Sequence, residues 1–328
     1  MSKNLIILLK TLISIGLAGL LLYLVFRNIE WTEFWRRAKT VDYTWVIASI
    51  LLSIVAYVAR AYRWNILLEP LGYQLKTSRT TLAVLVGYLA NLAFPRLGEI
   101  TRCGVLKRND DVAVPSSLGS VVTERIIDVL TLLVLILISL IVESERLFTF
   151  LRTAYSDLQI PTYIVISMIA FALIGVIALI IFIKRQDKLK GKFAVLIKSF
   201  IAGFLSLKDI KKPIGFVVST VVLWVVYYLM SYIIIFSLPE TAHLGLGAGF
   251  MLLITGGIAL SLPVQSGFGT YHGMIAGMLL LYSIDQTTGV FLATLLHTSQ
   301  ILAIALFGSM ALIISVVIRR KTVRKETN

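Results

Sequence analysis

An apolar part of the chain is interrupted at residues 91–102 by the sequence Asn-Leu-Ala-Phe-Pro-Arg-Leu-Gly-Glu-Ile-Thr-Arg, which holds proline, glycine and three charges. Unpaired backbone groups and charges are costly in hydrocarbon, so such a segment persists only where it is buried in protein or lines a wet cavity. A second interruption, Pro-Val-Gln-Ser-Gly-Phe-Gly-Thr, follows at residues 263–270. We call these segments the first break and the second break. Two breaks in corresponding parts of a membrane chain predict a transporter-like binding site.

The composition is typical of a membrane protein. Hydrophobic residues make up 58% of the 328 residues and charged residues only 15%, whereas soluble domains are roughly 45–50% apolar. Apolar segments and their short connections occupy almost the whole chain, which leaves no room for an appended soluble catalytic domain. We therefore expect an all-α polytopic membrane protein in which residues 1–328 form a single transmembrane domain.

Six apolar segments are long enough to span a bilayer, which takes about 20 helical residues. They are residues 5–26, 43–68, 117–142, 161–183, 213–238 and 287–318. The first is predicted to be an uncleaved helix, because no small-residue cleavage site follows it. Residues 27–42 alternate aromatic and charged side chains, which suits a helix at the membrane surface. The regions around the breaks, about 80–106 and 247–282, have shorter apolar arms and predict two re-entrant hairpins.

Charge indicates which ends of the segments face the cytoplasm. The formal net charge is +14, and basic residues concentrate at 184–212 and in the tail at 319–328. Basic loops remain in the cytoplasm, so both segments and both termini are predicted there. The excess charge indicates contact with anionic lipid rather than with nucleic acid. Apolar side chains within residues 184–212 recur at three- and four-residue spacing, which predicts an amphipathic surface helix.

The two hairpins are predicted to enter the membrane from opposite sides. With the acidic loop at residues 143–157 outside, the first hairpin dips from the cytoplasm and the second from the outer face. Each half of the chain then reads as span, hairpin, span in opposite orientations, which is an inverted repeat. The alternative is that both breaks are ordinary helix ends in interfacial loops. The expected location is a bacterial or archaeal cytoplasmic membrane.

Polar and charged side chains on and near the first break form one group of candidate substrate-binding residues. The group is Arg60, Arg63, Asn91, Arg96, Glu99, Arg102, Glu124, Arg125 and Asp128. Guanidinium groups bind phosphate bidentately and stay charged when partly desolvated, and the carboxylates would balance that charge or receive an ammonium. The alternative is that the charges only pair with one another, as Arg125 would with Asp128 three residues on. Arg60 and Arg63 share a helix face and could equally anchor it at lipid phosphate.

The second break carries uncharged candidate groups suited to hydroxyl or phosphate contacts. The candidates are Gln265, Ser266, Gly267, Tyr271 and His272. A helix beginning near residue 269 would point its positive end at an anion in the break. His272 would either couple transport to protons or serve as a hydrogen-bonded structural residue. His243, in a predicted outer loop, and His297, alone on the last helix, have no partner that would support a metal site.

The sequence predicts no metal ion and no cofactor. Cys103 is the single cysteine, so it forms no intrachain disulfide, and a buried neutral thiol is expected. Cysteine and histidine nowhere have metal-ligand spacing. The nucleotide-binding pattern Gly-x-x-x-x-Gly-Lys-Ser/Thr is also absent from the sequence, so any driving force for transport would be a gradient, a partner or the lipid distribution.

Three motifs, in this order, resemble one family. The segments Asn91-x-x-x-Pro-Arg-x-Gly-Glu-x-x-Arg102, Thr123-Glu-Arg-x-x-Asp128 and Pro263-x-x-Ser-Gly-x-Gly269 resemble the transmembrane region of lysylphosphatidylglycerol synthases, also called the flippase-like membrane family. The resemblance covers nearly the whole chain. In the bifunctional members of that family, this region is associated with translocation of an aminoacylated phospholipid made by a soluble domain.

The resemblance implies lipid handling without aminoacyl transfer, because the 328 residues hold no soluble synthase domain. We therefore expect a protein that moves a polar-headed lipid or lipid-linked substrate between leaflets, and not an enzyme. Its expected partners are membrane lipids, anionic or phosphate-bearing, and a separate lipid-modifying enzyme. Two alternatives stay open: a membrane enzyme or accessory factor that modifies a lipid head group, and a non-transporting scaffold.

Overall fold

The computed structural model describes residues 16–27, 29–94, 96–146, 210–262 and 264–317, and its elements are helical throughout this part of the chain. The helices of the first half are α1 (Gly16–Phe26), α2 (Trp31–Thr40), α3 (Tyr43–Leu68), α4 (Thr77–Ala93), α5 (Leu97–Asp110) and α6 (Val114–Val142). Those of the second half are α7 (Pro213–Ile233), α8 (Leu246–Ser261), α9 (Thr270–Leu280) and α10 (Gln286–Val317). Short 3-10 turns occupy Glu69–Leu71, Ile234–Ser237 and Gln265–Gly267.

Four helices are long and apolar enough to cross a membrane: α3, α6, α7 and α10, with the adjoining 3-10 turns extending α3 and α7. They confirm four of the six predicted spans. The predicted span at 5–26 is described only from residue 16, where it is helical. The predicted span at 161–183, the tail at 319–328 and most of the basic loop at 184–212 lie outside the described residues.

The helices beside the two breaks are shorter than the spans. Helix α9 has 11 residues, which at 1.5 Å per residue is about 17 Å, little more than half of a roughly 30 Å hydrocarbon core. The first break is also narrower than the sequence indicated. Helix α4 ends at Ala93 and α5 already begins at Leu97, so Glu99 and Arg102 lie on a regular helix rather than in irregular backbone. Around the second break, α8 ends at Ser261 and α9 begins at Thr270, which confirms the predicted helix start near residue 269.

Helix α3 lies at the centre of the packing, in contact with α4, α6, α7 and α10. Helices α4 and α5 pack against each other, as do α8 and α9; we call these two helix pairs the first hairpin and the second hairpin, names that describe their packing and not their depth in a membrane. Helix α10 packs against both α4 and α9 and so connects the two hairpins. One apolar core lies among α8, α9 and α10, around Ile275 and Leu292. Another lies among α3 to α6, around Trp64 and Leu106.

The two arms of the first hairpin approach each other at glycine. A Cβ added to Gly98 would lie 2.2 Å from the carbonyl oxygen of Gly87, so no larger residue fits. The Gly98 N–H, at the start of α5, donates to Asn91 Oδ1 at 2.6 Å. The first-turn amides of a helix have no partner within that helix, and here Asn91 supplies one from the end of α4.

Three residues of the second break have positive φ values. Ser266, Gly267 and Gly269 have φ values of 47°, 74° and 79°, a region that glycine enters freely and serine does not. A Cβ on Gly269 would also lie 2.4 Å from Leu21 Cβ, so α1 closes directly over this segment. A non-glycine residue in this conformation persists only where its surroundings hold it.

The two breaks contact each other. Gln265 Nε2 donates to the carbonyl oxygen of Leu92 at 2.9 Å, and Ser266 Oγ donates to that of Asn91 at 3.4 Å. These carbonyls lie in the last turn of α4, where a helix leaves them without intrahelical partners. Side chains of the second break therefore satisfy backbone carbonyls at the end of α4.

At the start of α10, Asp285 caps the helix and joins it to α2. Its Oδ1 accepts from the Thr288 N–H at 2.9 Å, and its Oδ2 lies 3.6 Å from Arg37 Nη2. Burial acts to raise the pKa of Asp285, but the Thr288 hydrogen bonds and the Arg37 charge outweigh it, so this pKa lies below its ordinary value. The ionised carboxylate thus stabilises the fold above its ordinary pKa, and that contribution is lost as the pH falls through the lowered value.

We expect Gly98→Ala to disrupt the first hairpin. The added methyl group would collide with backbone that cannot rotate away, which should lower the free energy of unfolding by about 2 kcal/mol or more. Gly104→Ala, on the same helix, is the matched control because a Cβ there meets nothing within 4 Å. The melting temperatures of the detergent-solubilised variants measure the difference. If Gly98→Ala had the same melting temperature as the control, the arms of the hairpin would not meet at this glycine.

Candidate functional site

Five ionic side chains from three helices meet in the interior beside the first hairpin. Arg60 and Arg63 come from α3, Arg102 from α5, and Glu124 and Asp128 from α6; we call this group the buried charge cluster. Arg63 and Glu124 have fully buried side chains, and that of Asp128 is 13% exposed. These five residues all belong to the nine predicted around the first break. Arg125, at the rim of the cluster, is a sixth.

The two arginines of α3 both reach the two carboxylates of α6. Arg60 Nη1 donates to Glu124 Oε1 and lies 3.2 Å from Asp128 Oδ2. Arg63 Nη2 lies 2.7 Å from Asp128 Oδ1 and 3.4 Å from Glu124 Oε1. Three-residue spacing on α3 and four-residue spacing on α6 put each pair on one helix face. Once these faces of α3 and α6 pack together, both arginines lie within reach of both carboxylates.

Arg102 approaches Glu124 from the first hairpin. Its Nη1 lies 3.0 Å from Glu124 Oε2, and its guanidinium carbon lies 4.5 Å above the ring of Trp64. Trp64 in turn donates from Nε1 to Ser120 Oγ at 2.8 Å. Stacking on an indole face stabilises a desolvated guanidinium, so Trp64 supports Arg102 without neutralising it.

The buried charge cluster has more positive than negative charge. Three guanidinium groups face two carboxylates, which leaves one positive charge in excess. Arg63 Nε and Nη1 and Arg102 Nε and Nη2 have no hydrogen-bond partner among the described residues. Buried charges normally acquire both a counter-charge and hydrogen bonds. The arrangement therefore has unused donors suited to one further anionic group.

A second, more exposed shell surrounds the cluster. Arg125 Nε lies 3.7 Å from Glu99 Oε1, and its Nη1 lies 3.6 Å from Asp128 Oδ2, which confirms the predicted pair of Arg125 with Asp128. Arg60 also donates from Nε and Nη2 to the hydroxyl of Tyr227 on α7, at 3.2 and 3.1 Å. Sequence reasoning missed Tyr227, because nothing in the apolar run of α7 indicates that it faces an arginine 167 residues away.

Two candidates of the first break have different surroundings. Arg96 is exposed at the break, with a φ of 61°, and forms no ion pair with any described residue. Asn91 uses its side-chain oxygen to cap Gly98, so this atom positions the hairpin. Pairing among the charges therefore accounts for Arg60, Arg63 and Arg102 in part, and does not account for Arg96.

The second break lies beside a group of aromatic and imidazole rings. His297 Nε2 lies 2.9 Å from the carbonyl oxygen of Ser266, and the His297 ring stacks on Tyr271 with centroids 5.0 Å apart. The ring centroid of His272 is 5.1 Å from that of His297. Helix α10 thus passes directly behind the break, and His297 has a hydrogen-bonding and a stacking partner that the sequence did not indicate. Nδ1 of His272 has no hydrogen-bond partner among the described residues.

Among the described residues, no group of three or more histidine, cysteine, aspartate or glutamate side chains could hold a metal ion. Cys103 is free and buried, as predicted. The chemistry that this site offers is therefore ionic and hydrogen-bonding recognition by guanidinium, carboxylate, amide and imidazole groups.

Long helices with apolar outer faces around a charged interior define an integral membrane protein. Large apolar side chains stay exposed along these helices, such as Leu137 at 61% and Ile141 at 77%, which is expected where lipid surrounds them. The chain belongs to the family of the lysylphosphatidylglycerol synthase transmembrane region, which matches residues 7–308. The resemblance found in the motifs is thereby confirmed.

A curated relative is similar to most of the chain. The glycosyltransferase AglD of Haloferax volcanii is 23% identical over 259 residues, in a match that covers 69% of this chain and 42% of the relative. The chain therefore spans well under half of the length of that protein. No solved structure matches the chain significantly.

We expect Glu124→Gln to destabilise the protein strongly. The substitution leaves three buried arginines with Asp128 alone, and breaking a buried ion pair costs about 3–5 kcal/mol. The double variant Glu124→Gln with Arg63→Gln restores the original charge excess and should recover part of the loss. Glu99→Gln is the control, because its pair with Arg125 is partly exposed and worth about 1 kcal/mol or less. Melting temperatures that fall equally in Glu124→Gln and Glu99→Gln would contradict this account.

Proposed function

We propose that this protein binds the phosphate-bearing head group of a membrane lipid and translocates it between the two leaflets. The observation that carries the proposal is the buried charge cluster, with one excess positive charge and unpartnered guanidinium N–H groups beside contacting helix breaks. A phosphodiester carries one negative charge and several acceptor oxygens. It would balance the charge and use the free donors of Arg63 and Arg102.

The arrangement of the breaks supports translocation rather than binding alone. In our proposal, the two hairpins enter the membrane from opposite faces and form the inner ends of an inverted repeat, with both termini in the cytoplasm. The head group would pass between the breaks while the acyl chains remain in the surrounding lipid. Arg96, exposed at the first break without an ion pair to the described residues, would be the first cation that the phosphate meets.

Chemistry on the lipid is the alternative function, and the name of the Haloferax volcanii relative favours it. That protein is called a glycosyltransferase, but the similarity covers only 42% of its length. Residues that transfer a sugar need not lie in the shared part. We therefore propose that this chain handles the lipid and that a separate enzyme modifies it.

We expect the purified protein, reconstituted in proteoliposomes, to speed exchange of one lipid class between leaflets. The lipids to compare are head-group-labelled phospholipids and a polyprenyl phosphate. Arg102→Lys keeps the charge but loses the planar fork, which should slow translocation about tenfold. Arg96→Gln should slow it without changing the melting temperature, because no ion pair to described residues is broken. Arg36→Lys, on an exposed side chain of α2, is the control and should match the wild type.

Several outcomes separate the alternatives. Wild-type protein that matches empty vesicles for every lipid would contradict translocation by this chain. Arg96 and Arg102 variants that transport normally at equal insertion would contradict the proposed site. A chemically altered lipid, detected by mass spectrometry after incubation, would identify an enzyme. Abundance that falls in step with activity in every variant would indicate a scaffold.

A further inference from the structure

The two imidazole rings behind the second break have unused hydrogen-bonding atoms. His272 is 4% exposed and His297 is 3% exposed. Nδ1 of each ring lacks a hydrogen-bond partner. No carboxylate forms an ion pair with either ring in the described part of the chain. Two buried nitrogens with no described partner are unusual, because more than nine in ten buried polar groups are hydrogen-bonded.

The contact with Ser266 determines whether Nδ1 of His297 is a hydrogen-bond donor or an acceptor. A carbonyl oxygen only accepts hydrogen bonds, so the 2.9 Å contact requires the proton on His297 Nε2. In the neutral ring, Nδ1 then carries a lone pair and is an acceptor. Gln265 Oε1, in the same break, is a further buried acceptor without a partner.

The unpartnered atoms near the two breaks are therefore complementary in kind. Beside the first break they include N–H donors of Arg63 and Arg102. Beside the second break they include the acceptors of His297 and Gln265. A single head group that satisfies both sets carries an anionic oxygen and a hydrogen-bond donor.

The two sites occupy corresponding places in the two halves of the chain. Arg102 lies on α5, the helix that follows the first break, and His272 lies on α9, the helix that follows the second. Arg102 contacts Glu124 on α6, the long helix after its hairpin. His272 lies against His297 on α10, the long helix after the other hairpin. The same architecture thus positions a charged pair in one half and an imidazole pair in the other.

We propose that His272 and His297 form a subsite for a hydroxyl group of a phosphodiester head group, and this inference rests on the proposed function. A hydroxyl brings no charge, and it can donate to Nδ1 of His297 and either donate to or accept from Nδ1 of His272. An ammonium would need a carboxylate in this buried place, and no described carboxylate pairs with the rings. Because both rings are buried, the hydroxyl reaches them only when the second break moves away from α10, as a translocation step would require.

Two lipids of equal charge test the subsite. Phosphatidylglycerol and phosphatidylethanol are both phosphodiesters with one negative charge, and only the first has head-group hydroxyls. Their translocation rates are measured in proteoliposomes of phosphatidylcholine with wild-type protein. We expect wild-type protein to translocate phosphatidylglycerol about ten times faster than phosphatidylethanol. The hydroxyl would satisfy a buried acceptor, and the free energy of one such hydrogen bond corresponds to a ratio of about ten.

The variants remove the acceptor while keeping a ring or an amide in its place. His272→Phe retains an aromatic ring against Phe26, whose centroid lies 5.7 Å from that of His272, and should abolish the preference by slowing phosphatidylglycerol alone. His297→Gln keeps a donor for Ser266 and an acceptor, so it should keep part of the preference, whereas His297→Phe should lose it. His243→Phe, on an exposed loop histidine, should behave as wild type.

The outcomes distinguish this subsite from the proposed function. Wild-type protein that moves both lipids equally would overturn the subsite and leave translocation standing. A His272→Phe protein that slows both lipids equally would show a purely structural ring and overturn the subsite. Faster movement of phosphatidylethanolamine than of phosphatidylglycerol would overturn the assignment to a hydroxyl. Protein that moves none of these lipids faster than empty vesicles do would overturn the subsite and the proposed function together.

Discussion

The burial of three guanidinium groups beside two carboxylates is the constraint on which the architecture depends. Each of these charges would be strongly unfavourable alone in an apolar interior, so α3, α5 and α6 must stay adjacent for any of them to be tolerated. The hairpin of α4 and α5 is thereby held against α6 through Arg102 and Glu124. Its remaining excess of positive charge makes the cluster a candidate site as well as a structural one.

The two breaks depend on each other in a similar way. The last carbonyls of α4 are satisfied by Gln265 and Ser266, while Ser266 is itself held by His297 of α10. Helix α10 also packs against α4. A movement of one hairpin must therefore break hydrogen bonds of the other. Such mutual dependence is what a two-state element needs if polar groups are to be exposed to one side at a time.

Local periodicity explains which parts of the site were predictable. Arg60 with Arg63, and Arg125 with Asp128, are separated by one helical turn, so their common faces follow from the sequence. The contact of His297 with Ser266 and that of Tyr227 with Arg60 join residues 31 and 167 positions apart. A single sequence carries no signal for such distant contacts. The width of the first break was also overestimated, because Gly98 and Glu99 prove compatible with the first turn of a helix.

The amino-acid sequence by itself determined the membrane class, the helical character, the four confirmed spans and the existence of two breaks. It did so because apolar length, charge and helix-breaking residues act within a few turns of the chain. Only the tertiary structure decided that the breaks contact each other, that three arginines share two carboxylates, and that two histidines lie ring to ring. Those features depend on which helix faces meet, and that is settled by the packing of the whole chain.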